Sequence, residues 1–144
     1  MKKFIILTLV IGLFISSCGD GEPKYDTSTK YTIINSSNQN VKLIVEDAYF
    51  NNEYKDTIYV LLPNTEIQHL NKHMTPIDGP FGPGADTVIV VFNDIKQITY
   101  FRNDGNPKSL FNINSFEGGY TKYGLYEYKY YITDEDYSNA TTIE

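Results

Sequence analysis

Apolar and polar positions alternate along much of this chain with a period of two. Val41, Leu43 and Val45 interleave with Lys42, Ile44 and Glu46, which turns one face of a strand inward and a mostly polar face outward. Short β-branched or aromatic runs at residues 31–35, 41–47, 57–62 and 66–71, bounded by Asn, Ser, Asp or Pro, predict four strands. Residues 87–92 (TVIVVF) are apolar on both faces and predict a central strand covered on both sides. Asn93-Asp94 then predicts a hairpin into residues 95–101. A three-residue loop, Asn93 to Ile95, pairs Phe92 with Lys96, Val90 with Ile98 and Val88 with Tyr100. A two-residue loop puts Gln97 and Thr99 on that face instead, so the hydrophobic pattern favours the longer loop. The last long strand is predicted at 125–133, with Tyr126, Tyr128, Tyr130 and Ile132 facing inward.

Between these runs the chain breaks. Residues 35–40 (NSSNQN) form a turn cluster, and residues 73–85 (HMTPIDGPFGPGA) predict a long surface loop because proline and glycine oppose regular structure. Residues 102–108 predict another turn, 110–113 a short strand, and 116–123 a loop containing Gly118-Gly119. Asp134 is expected to cap a helical turn through Tyr137 and Ala140. About eight short strands without crossover helices predict an all-β fold, an antiparallel β-sandwich of Greek-key or immunoglobulin-like type with a short C-terminal helical turn. A small closed barrel is the alternative.

The N-terminal segment obeys a different pattern. Lys2 and Lys3 precede an apolar run from Phe4 to Ile15, and Ser16-Ser17 precede Cys18, the only cysteine. A charged, apolar and then small-residue order matches a signal peptide, whose apolar run is too short to span a bilayer. Ile15-Ser16-Ser17-Cys18 resembles the lipobox of bacterial lipoproteins. That resemblance implies cleavage before Cys18 and acylation of its thiol, with two or more chains giving stable attachment to a lipid bilayer. The expected organisation is therefore a signal peptide at 1–17, lipidated Cys18 with a flexible tether through 29, and a β-sandwich domain at 30–144. The tether is almost free of apolar residues.

The segments KYTIINSS, PFGPGADTVIVVFNDIKQITYF and YEYKYYITDEDYSNA resemble those of small uncharacterised lipoproteins of the Bacteroidota. The resemblance implies an outer-membrane location, on the periplasmic face or the cell surface, and a β-sandwich, but no activity. Loss of Lys2 and Lys3 leaves ten basic against eighteen acidic side chains, a net charge of −8. That balance opposes nucleic-acid binding and electrostatic docking to anionic lipid.

Sites of chemistry are sparse in this sequence. With Cys18 committed to lipid, disulfides and thiol nucleophiles are not expected in the domain. His69 and His73, spaced by four, suit a helix face better than a strand running into a loop, and are expected to be exposed at a strand end instead of binding zinc. Glu135 and Asp136 lack the ligand spacing of an EF-hand. No nucleophile elbow or phosphate-cradling loop occurs, so no catalytic residue, metal ligand or cofactor is assigned. Tyrosine is unusually dense toward the C-terminus. Most of those rings are expected in the core, while Tyr120, Tyr123 and Phe81 are the candidate partner contacts. Asp56-Thr57-Ile58 and Asp86-Thr87-Val88 resemble O-glycosylation sites of exported Bacteroidota proteins, although each falls where a strand is expected to begin. The expected function is noncatalytic binding of an envelope protein or glycan. The alternative is an inhibitor or immunity lipoprotein against a toxin or hydrolase of the envelope.

Overall fold

The computed structural model describes residues 27–50, 53–72 and 79–144. Residues 1–26, on which the expected signal peptide, Cys18 and most of the expected tether fall, and residues 51–52 and 73–78 lie outside them. Among the described residues there are nine strands: β1 (Ser28–Asn35), β2 (Val41–Phe50), β3 (Glu53–Leu61), β4 (Glu66–Lys72), β5 (Thr87–Phe92), β6 (Lys96–Phe101), β7 (Glu117–Lys122), β8 (Leu125–Ile132) and β9 (Thr141–Thr142). They form two sheets, ordered β4-β1-β8-β7 and β3-β2-β5-β6-β9, so the protein is an all-β sandwich.

The inner faces are those that the alternation predicts. Val41, Leu43 and Val45 of β2 and Val88, Val90 and Phe92 of β5 meet Tyr31 and Ile33 of β1 and Tyr130 and Ile132 of β8 in one core, all of them 4% exposed or less. Burying each aliphatic side chain contributes about 1.5–3 kcal/mol. The β5–β6 hairpin has the register of the three-residue loop, with Val88 opposite Tyr100, Val90 opposite Ile98 and Phe92 opposite Lys96. Asn93 and Asp94 both take positive φ there.

Several expectations are corrected. The sandwich is not wholly antiparallel, because β1 runs parallel to β8 from Ser28–Leu125 to Asn35–Ile132. A parallel pair requires a crossover, and here nearly the whole domain serves as one. The immunoglobulin arrangement keeps its first, second, fourth and fifth strands in one sheet, whereas β1 and β2 here lie in different sheets. Strand β1 starts at Ser28, two residues before the expected domain boundary, and Thr29 is fully buried. Residues 110–113 are not a strand. Side-chain bonds from Asn106, Ser109 and Asn112 to nearby backbone N–H groups hold a run of turns instead, and Leu110 is driven fully into the core.

The Gly-Gly segment, expected to loop, is strand β7. Gly118 and Gly119 are extended at φ +132° and +154°, a backbone region almost closed to other residues. Helix α1 (Asp134–Asn139) is capped by Thr133, one residue before the expected cap. The Thr133 hydroxyl accepts from the Asp136 N–H, and the Asp136 carboxylate accepts from the Thr133 N–H at 2.7 Å, a reciprocal capping box.

Asn35 ties the two sheets together at the end away from the N-terminus. Fully buried, it donates from Nδ2 to the Gln39 carbonyl at 2.8 Å and to the Leu61 carbonyl at 3.1 Å. Its Oδ1 accepts from the Ser37 N–H and hydroxyl.

Candidate functional site

Of the candidate contacts, Phe81 is not available to a partner. It is 1% exposed, and its ring packs against Tyr59 and His69 with centroids 6.5 and 5.6 Å away. The described part of its loop is pinned inward. Asn71 donates to the Gly79 carbonyl at 2.8 Å, and Arg102 donates from Nε to the Ala85 carbonyl at 2.7 Å and from Nη2 to the Gly82 carbonyl. An aromatic ring flanked by Pro and Gly reads as a surface loop, yet here it closes the side of the sandwich between β3 and β4.

His69 is corrected by the same packing. It lies on the inner face of β4, opposite Tyr31 of β1, and is not exposed at a strand end. Burial lowers its pKa to about 4, so it is neutral at ordinary pH. His73 lies outside the described residues. Among the described residues no group of three or more His, Cys, Asp or Glu is placed to hold a metal ion. Asp136 is engaged in the helix cap, and Glu135 pairs with Lys108 at 3.2 Å. Thr57 and Thr87 are both half-buried in β3 and β5.

Tyr120 and Tyr123, by contrast, are 62% and 64% exposed. The β7–β8 hairpin presents them. Lys122 pairs with Leu125, leaving Tyr123 and Gly124 as a two-residue turn with φ +53° and +78°. Positive φ at both positions is the twist-matched hairpin turn that glycine favours. An irregularity at Thr121 frees its hydroxyl to donate to the Leu125 carbonyl at 2.9 Å. Tyr120 stands opposite Tyr126 at a centroid distance of 5.3 Å. Ring contacts then run through Tyr128 and Tyr31 to Phe116 and Tyr130 in the core. The exposed ring therefore ends an aromatic ladder whose inner members are fixed by packing, with each pair adding about 0.5–1.5 kcal/mol beyond area burial. Lys122 Nζ lies 5.6 Å from the Tyr123 ring. The N-terminal segment joins the domain beside this tip, where the Ser28 N–H donates to the Gly124 carbonyl at 3.0 Å.

A second open surface was missed from the sequence. On the outer face of the five-stranded sheet, Ile58, Val60 and Leu62 follow one another at 60%, 66% and 57% exposure. Ile44 stands opposite both Ile58 and Ile89, and Lys42 opposite both Val60 and Val91. Lys42 itself reaches Asp94 at 2.7 Å. An open groove of about 320 Å³ crosses this face between Val60, Leu62, Val91 and Asn93. The expectation that β5 is covered on both faces holds only in part: on its outer face Val91 is buried at 6% exposure, while Ile89 is partly exposed. The signal was present, since residues 57–62 (TIYVLL) carry apolar side chains on both faces, but periodicity alone gives no means of choosing which face meets the other sheet.

Comparison with protein families, with curated proteins and with solved structures returns no match to this chain.

Proposed function

We propose that the protein is a membrane-anchored envelope lipoprotein whose sandwich is a noncatalytic module holding a protein partner on the open face of the five-stranded sheet. The observation that carries the partner reading is the adjacent exposure of Ile58, Val60 and Leu62 beside the partly exposed Ile44 and Ile89. Exposed apolar patches of this kind mark interaction surfaces. The side chains are aliphatic, which suits a protein surface better than a sugar, because a sugar is held by stacking on ring faces. From strand spacing and rise, each outward side chain covers roughly 30 Å² of sheet, so the five cover about 150 Å². A stable interface takes about 800 Å² from each partner. These side chains alone fall short, so the partner also grips the polar rim around Lys42, Asn93 and Asp94. The anchoring half of the reading is supported by the lipobox and by the polar tether leading to Ser28.

A photo-crosslinking residue at Val60 tests the partner directly in cells. One protein joined at Val60, and lost when Ile58→Lys is added in a chain that keeps its circular dichroism, is the expected result. No adduct, or adducts unaffected by Ile58→Lys, overturns the protein-partner reading. Specific retention on a glycan array by an undisturbed Tyr120 face would replace it with a glycan. Mass spectrometry of the native protein tests the anchor, which fails if Cys18 carries no lipid.

A further inference from the structure

The geometry points to a second contact, in which the tip of the β7–β8 hairpin seats in the headgroup layer of the membrane that holds Cys18. This inference rests on the anchored reading above. It starts from where the chain joins the sandwich. Ser28 is bonded to the Gly124 carbonyl of the hairpin turn, and residues 19–27, nine in all, separate it from Cys18. Nine residues span at most about 32 Å extended and roughly 17 Å as a coil. The tip is thus held nearest the lipid. The opposite end, with Asn93, Asp94 and Ile95, lies about one strand length farther, on the order of 26 Å for the eight residues of β1.

What the tip presents fits that position. Tyr120 and Tyr123 are both more than half exposed, and Lys122 lies between them in sequence. Tyrosine is enriched at membrane–water interfaces because the ring is apolar and its hydroxyl wet, and lysine extends its charge toward water from an apolar stem. Two tyrosines bind lipid weakly by themselves. Attachment through a short tether converts the encounter into an intramolecular one, at an effective concentration on the order of millimolar, so a contact too weak for the free domain is populated once it is anchored. The net charge of −8 left after cleavage before Cys18 opposes attraction by anionic lipid. Seating therefore comes from the rings, and it occurs on zwitterionic phosphatidylcholine and survives added salt.

Because the chain contains no tryptophan, a single one reports position. The chain from Cys18 onward, which contains every described element, is coupled through that thiol to maleimide lipid in phosphatidylcholine vesicles containing brominated lipid. Tyr123→Trp is compared with Ile95→Trp, an exposed site at the far end, and Lys122→Trp serves as a second tip probe. At least twofold quenching at both tip positions, with none at position 95, is the expected result. Equal quenching at the two ends, or none at the tip, overturns the proposal. Coupling is chemical, so this outcome is independent of whether the native cysteine is acylated, which mass spectrometry decides separately.

Discussion

His69 meets the ring of Tyr59 edge-on, with centroids 5.2 Å apart and planes at 85°, and the contact joins the edge strands β3 and β4 of opposite sheets. Burial there lowers the histidine pKa from 6.5 to about 4. Between those values the unfolded chain binds a proton that the folded chain refuses. Stability is therefore fully present above pH 6.5 and falls as pH drops toward 4, by at most about 3 kcal/mol. His69→Leu should remove this step, so in urea unfolding across that window the wild type should lose stability relative to the variant as pH falls. Parallel curves would show that His69 is protonated freely in the folded state.

Tyrosine sets the alkaline limit. Burial raises Tyr59 to about 12 and pushes Tyr100 and Tyr130 upward as well. Unfolded tyrosines lose their protons near pH 10 while these three keep theirs, so stability falls as pH rises beyond 10. Phenolate absorbance of these three rings should rise in a step coincident with unfolding. The Tyr130 hydroxyl also donates to the Lys108 carbonyl at 2.7 Å. Tyr130→Phe should cost about 1–3 kcal/mol by leaving that acceptor unmet.

Gly118 cannot carry a side chain. A Cβ there would stand 2.0 Å from the Glu127 carbonyl oxygen, whereas one at Gly119 would meet nothing within 4 Å. Both substitutions incur the backbone cost of positive φ, of about 1–3 kcal/mol, but only Gly118→Ala forces β7 away from β8. Hydrogen exchange should show the β7–β8 amides losing protection in Gly118→Ala and largely keeping it in Gly119→Ala.

Asn35→Ala, at the end of β1, should be among the more damaging polar substitutions. It strands the buried Leu61 carbonyl and releases the 36–40 turn from β3, a loss of about 2 kcal/mol or more by chemical denaturation. Asn38→Ala, whose side chain bonds Asp134 at the surface, should cost well under 1 kcal/mol.

The sequence by itself determined most of the strands and the inward faces of those that alternate. Period-two alternation settles which side chains of β2 and β8 turn inward, because a one-residue slip would expose the whole apolar set. It settles the β5–β6 register for the same reason, and it marks the charged, apolar and small-residue order ahead of Cys18. Tertiary structure alone decided how these pieces meet. Nothing local to Phe81 or His69 distinguishes an exposed ring from one closing the gap between β3 and β4, since that depends on residues far apart in the chain. Gly118-Gly119 reads as a loop until the Glu127 backbone is placed against it. The parallel β1–β8 pair brings Ser28 beside Gly124, and the open row at Ile58, Val60 and Leu62 exists because only one face of a sheet can meet the other in a two-layer sandwich. Pairings across such separations depend on the packing of the whole chain, to which a local pattern is blind.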